Sequence, residues 1–234
     1  MNVYKISEIN EDNVKEHLKF DSPELKVNHY FINCNTNLFI QLEHVHFSEN
    51  FYEDSEKIMA NIHIQGKYEK NMLVFDNLII NTVNDMFPLW FNKEIDMVDL
   101  LEYYTPSVNN YEDNENEDND DDEDDEDDGV VSDIFSYTSS EDEVNEVNEV
   151  NEEEVNEVNE DSIDLCISCV VPYNYEEDDL DIMIYDSSNN LIDKLWNEVE
   201  LMNKSGICII KLSGLKIEKD KFSSIWELIQ LKII

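Results

Sequence analysis

The stretch whose reading decides the fold is the last one, "KSGICIIKLSGLKIEKDKFSSIWELIQLKII" (residues 204–234). Two runs of β-branched, aliphatic and aromatic residues, 206–217 and 222–234, flank Glu218-Lys219-Asp220-Lys221, a polar link short enough for a hairpin. Strict alternation puts Phe222, Ser224, Trp226, Leu228, Gln230 and Lys232 on one strand face. Ile225, Glu227, Ile229, Leu231 and Ile233 take the other face, which is the more apolar and is expected to point into the core. The first face then presents an aromatic pair beside lysines. A second reading stays open, in which the hairpin simply completes a sheet, with Trp226 in its core and the lysines at the wet edge.

The same stretch is an anomaly of charge. The chain has 234 residues, a formal net charge of -42 and no arginine. Yet from Leu201 to Ile234 six lysines (Lys204, Lys211, Lys216, Lys219, Lys221 and Lys232) face three acids, Glu218, Asp220 and Glu227. Lysines that neutralise backbone phosphates, beside rings that stack on bases for roughly 1–3 kcal/mol each, are what binding of single-stranded nucleic acid requires. The candidate binding residues are therefore Lys211, Lys216, Lys219, Lys221, Phe222, Trp226 and Lys232.

Upstream, "HYFINC", "NLFIQLEHVHF", "KIMANIHIQGKY" and "NMLVFDNLII" read as strands. A possible helix in "EDNVKEHLKF" precedes them, and an amphipathic helix in "NKEIDMVDLLEYYTP" follows. Strand text returns in "SIDLCISCVVPY" and "LDIMIYDSSNNLI", and "LIDKLWNEVELMNKSG" reads as a helix or irregular crossover. Neither half has enough strands to close a barrel, but together they have about seven or eight. The expected architecture is one mainly β (β-rich α+β) domain, built from residues 1–106 and 162–234 and interrupted by residues 107–161; two small domains are the alternative.

The interruption carries 26 of the 57 acidic residues and no lysine, so the rest of the chain has 31 acids against 15 lysines. Such a segment cannot bury enough apolar surface to offset its ordering entropy and is read as a disordered, low-complexity insertion. Its five VNE triplets fit neither the helical nor the strand period. Within it, "GVVSDIFSYTSSEDE" has the composition of a docking motif, and Ser139 and Ser140 have acids three residues on, as acidophilic kinases prefer.

Catalysis finds no support: there is no phosphate-cradling Gly-rich loop, no G-x-S-x-G and no H-E-x-x-H. Cys166 and Cys169 form a C-x-x-C, but inside strand text i and i+3 face opposite sides, so free thiols are expected and no metal or other cofactor. Cys34 and Cys208 are read as reduced too. His44 and His46 are read as a solvated or partner-satisfied pair. With no apolar leader and no run of membrane-spanning length, a soluble intracellular protein is expected.

The block "DIMIYDSSNNLI... KSGICIIKLSGLKIEKDKFSSIWELIQLKII" resembles the closing part of the OB-fold single-stranded DNA-binding proteins of large nucleocytoplasmic DNA viruses, which are similar to those of short-tailed phages. The matching elements are the D-x-x-x-N turn from Asp186 to Asn190, the Lys204-Ser205-Gly206 and Ser213-Gly214 steps, and Lys221, Phe222, Trp226, Gln230 and Lys232 in KF-x-x-x-W-x-x-x-Q-x-K. The chain departs at Leu215-Lys216, where the family usually carries an aromatic, and at Ser223, where it carries a glycine. The resemblance implies an OB-like Greek-key barrel that coats single-stranded DNA without reading sequence, in viral DNA replication or recombination, in the host cytoplasm or nucleus. It also implies an acidic element that occupies the DNA face and recruits replication proteins. An acidic decoy for basic partners such as histones, with the β domain as scaffold, is the alternative.

Overall fold

The chain was analysed as a computed structural model. The structure describes residues 2–110 and 164–234, apart from the single positions 37, 56, 177, 194 and 220. In chain order the elements are β1 (Asn2–Lys5), α1 (Glu11–His17), β2 (Glu24–Leu25), β3 (Tyr30–Asn33), β4 (Leu38–Phe47), β5 (Tyr52–Asp54) and β6 (Lys57–Gln65). Then come α2 (Glu69–Phe91), α3 (Met97–Tyr103), β7 (Tyr104–Thr105), β8 (Asn109–Asn110) and β9 (Asp164–Val171). The chain closes with β10 (Tyr173–Asn174), β11 (Asp179–Leu180), β12 (Met183–Tyr185), β13 (Lys204–Ile217) and β14 (Phe222–Ile233).

Five of these strands close on themselves. β4 pairs antiparallel with β6, β6 antiparallel with β9, β9 parallel with β14, β14 antiparallel with β13, and β13 antiparallel with β4. Numbered one to five along the chain, the ring reads 1-2-3-5-4 and returns to 1, the connectivity of an OB barrel. Two ring strands precede residues 111–163 and three follow. β8 meets β9 as an antiparallel pair, Asn110 opposite Leu165, so the chain leaves the barrel and re-enters it at neighbouring positions. β1 lies parallel on β4, β3 and β2 extend the hairpin end of β13, and β10 with β11 makes a separate ribbon.

The interior is built by alternation. Leu165, Ile167, Cys169 and Val171 of β9 are buried, as are Ile58, Ala60, Ile62 and Ile64 of β6. α2 plugs the barrel end where β14 begins: Phe75 meets Trp226 edge to face at 5.2 Å. This helix corrects a sequence expectation, since "NMLVFDNLII" was expected to be a strand. Met72, Phe75, Leu78, Ile79 and Val83 are all buried, a helical spacing that a ten-residue apolar window cannot separate from a buried strand. The helix ends at Asn92, left-handed at φ 51°, whose N–H bonds back to the Pro88 carbonyl.

The expected faces of β14 are also corrected. Phe222, Trp226, Leu228 and Leu231 are buried, whereas Ile225, Ile229 and Ile233 are only half-buried. Ile209 pairs with Gln230 and Ile210 with Leu228, leaving Ile229 as the extra residue of a bulge that shifts the alternation by one. A second irregularity at Ser213 falls between the Leu212–Trp226 and Gly214–Ile225 pairs. "LIDKLWNEVELMNKSG" is mostly irregular, with one 3₁₀ turn at Trp196–Glu198. The D-x-x-x-N turn forms: Asp186 Oδ1 accepts from the N–H groups of Ser188 and Asn190, both at 2.8 Å, and Asn189 takes φ 64°.

Candidate nucleic-acid interface

Of the residues expected to bind, Phe222 and Trp226 are removed from the surface, at 3% and 2% exposure. Their rings cannot stack on a base. The Trp226 indole N–H donates to Ser224 Oγ at 3.1 Å, and Ser224 lies 2.9 Å from Ser107 Oγ. Ser107 in turn donates to buried Asp76 through both its hydroxyl and its backbone N–H. Tyr104 donates its hydroxyl to the same carboxylate. Burial pushes Asp76 above the usual carboxylate range, and the bonds from Ser107 and Tyr104 pull it part of the way back. No cation pairs with it among the described residues. The network is therefore structural: it ties α2, β7 and β14 together around Trp226.

The lysines form a row rather than a cluster. Along the β13–β14 ribbon Lys232 sits opposite Ile207, Lys211 opposite Glu227 and Lys216 opposite Ser223, a run of roughly 30 Å at strand rise. Much of their charge is already matched. Lys211 pairs with Glu227 at 2.8 Å, Lys216 with Glu218 at 2.9 Å, and Lys232 lies close enough to Asp186 to depress its pKa further below the value that the Asn190 hydrogen bonds set. Lys219 and Lys221, on the turn between the two strands, are exposed and enter no ion pair among the described residues.

An OB barrel binds oligonucleotides across its second and third strands and with the loops that join strands one to two and four to five. Here those strands are β6 and β9, whose outward residues are not among those the sequence singles out. Asn61 of β6 is a hub: its carbonyl oxygen accepts from Tyr52 at 3.2 Å and from Ser168 of β9 at 2.7 Å, and its amide donates to Glu49. Met59 stands beside it, opposite Tyr52 in the β5–β6 hairpin. The result is a polar surface with one phenol and one thioether. The alternation of "KIMANIHIQ" marks Met59 and Asn61 as outward-facing, but nothing in that run tells that β6 becomes the second strand of the ring.

Cys166 and Cys169 do face opposite sides of β9, one half-buried and the other fully buried. Burial pushes the Cys166 thiol to about 11 and Cys34 to about 12. No group of three or more potential metal ligands converges among the described residues. His44 occupies a left-handed bulge at φ 59°, and His46 lies 6.2 Å from His63, ring centre to ring centre. Ser139 and Ser140, like nearly all of the acidic segment, fall outside the described residues. No helix among the described residues is long and apolar enough to cross a membrane.

The chain matches no known protein family, and no curated protein matches it in sequence. Among solved structures it is similar to a single-stranded DNA-binding protein from bacteriophage Enc34 in complex with ssDNA, at 9% identity and a TM-score of 0.39, covering 91% of this chain and 94% of that one. It is also similar to a C-terminal truncation of that phage protein, at 9% identity and a TM-score of 0.40, covering 94% and 95% of the two chains.

Proposed function

We propose that this chain is a non-sequence-specific single-stranded DNA-binding protein serving viral DNA replication or recombination. The observation that carries the proposal is the closed ring in OB order, which makes β6 and β9 its second and third strands. The strand runs over Met59, Asn61, Tyr52 and Ser168, and its phosphates meet Lys219 and Lys221, while Glu227 and Glu218 hold Lys211 and Lys216 and Lys232 lies beside Asp186. The acidic residues of the insertion 107–161, which begin at Glu112, compete for this face and recruit replication proteins, with phosphorylation of Ser139 and Ser140 strengthening their charge.

Titration of a labelled oligonucleotide tests this. Deleting residues 112–158 is expected to tighten binding, and the logarithm of affinity is expected to fall with that of salt by about 0.7 per phosphate neutralised. Absence of binding by the deletion variant at low salt would overturn the proposal. A second reading draws on the ion pairs of Lys211 and Lys216 and on the excess of acids outside the insertion: an acidic interaction protein for basic partners such as histones. Histone binding by the intact chain, with no oligonucleotide binding, selects it.

A further inference from the structure

We propose that the cleft beneath the β13–β14 turn holds one unstacked nucleobase of a bound single strand, with the flanking phosphates on Lys219 and Lys221; the inference rests on the DNA-binding reading above. The cleft, of about 150 Å³, is lined by Phe87 of α2, Ile95, Tyr103 of α3, Ile217, Glu218 and the buried Phe222. Phe87, Ile95, Tyr103 and Ile217 are half-buried, so their exposed parts offer dispersion contact to a flat ring. Lys219 and Lys221 stand at the mouth.

Three observations point to this occupant. The volume lies well under the roughly 300–1,000 Å³ of sites for larger ligands and suits a single heterocyclic ring. Lys219 and Lys221 at the mouth enter no salt bridge among the described residues, Lys221 acting on the Glu218 carboxylate only from a distance, whereas Lys216, on the strand just before the turn, is bridged by Glu218. Finally, the turn between the fourth and fifth strands is one of the loops with which OB barrels hold oligonucleotides. Because β9 and β14 run parallel, this turn sits at the same barrel end as the start of β9 and the end of β6. A strand crossing the β6–β9 face therefore exits toward it.

The test uses the full chain and a thymidine oligonucleotide carrying 5-iododeoxyuridine. Ultraviolet crosslinks are expected on the peptides that hold Phe87 or Tyr103. Ile95→Trp, which fills the cleft, is expected to weaken affinity about tenfold with an unchanged salt slope. Lys219→Ala with Lys221→Ala is expected to reduce the slope by about 1.4. If the wild type binds but crosslinks fall only elsewhere, and both variants bind as the wild type does, the subsite is overturned while DNA binding stands. If neither the wild type nor the variant lacking residues 112–158 binds, the DNA-binding reading itself has failed. Capture of a carboxylate-rich peptide with one apolar side chain, lost in Ile95→Trp while oligonucleotide binding persists, makes the cleft a protein site and overturns the inference. Should Ile95→Trp fail to melt cooperatively, the wild-type crosslink map decides.

Discussion

A methyl group added at Gly214 would stand 2.4 Å from the Ile32 carbonyl oxygen, and one at Gly206 would stand 2.6 Å from that of Lys232. Both contacts are with backbone, which cannot turn aside. Gly214→Ala is therefore expected to cost about 1–3 kcal/mol, read as a lowered midpoint in urea. Asp76 makes a prediction of a different kind. Its folded pKa is raised, so below the ordinary carboxylate value of about 3.9 both states are protonated and nothing is lost. As pH rises from there through the folded value, the unfolded chain ionises first and stability falls. Asp76→Asn removes this dependence, so the stability of the variant relative to the wild type is expected to increase from pH 4 toward neutrality. A difference that stays flat or falls would mean that the hydrogen bonds from Tyr104 and Ser107 outweigh burial.

At the scale of elements, the β13–β14 ribbon is where charge is held in reserve. The carboxylate of Glu227 occupies Lys211, so Glu227→Gln is expected to tighten oligonucleotide binding and steepen the salt slope by about 0.7, while Lys211→Ala changes little. Filter binding at three salt concentrations separates the two. Asn92, left-handed at the end of α2, predicts that Asn92→Ala costs about 1 kcal/mol, measurable by thermal melting. The ribbon also explains what could be read from the sequence. Its two strands and their polar turn were legible because long β-branched runs leave few alternatives. The facing of its residues was not legible: bulges at Ile229 and Ser213 each insert one residue, and a period-two pattern carries no mark of where its phase slips. α2 was half legible for a related reason. The helix is buried on several sides, so its central apolar run lost the amphipathic signature that would have distinguished it from a strand. The Asn61 cluster was hidden because its meaning depends on which strands become second and third in the ring.

For the whole molecule, the ring order settles the architecture, and the electrostatics set the terms of any partner. An excess of acids, even outside residues 107–161, opposes long-range attraction of DNA, so association is expected to be slow at low salt for so small a target and to rest on short-range contact. Stopped-flow association rates of the intact chain and of the variant lacking residues 112–158 check this, with the variant expected to be the faster. The antiparallel pair of Asn110 with Leu165 has a further consequence. Both margins of residues 111–163 are stitched to the same barrel, and all five strands of the ring lie outside those residues. A glutamate-specific protease should thus be able to sever the chain there and leave a two-piece protein: one fragment carrying β4 and β6, the other β9, β13 and β14, held as a dimer of halves by their shared ladders. The gene could be divided at the same point and the halves expressed apart, with reassembly of the barrel reporting that both had met.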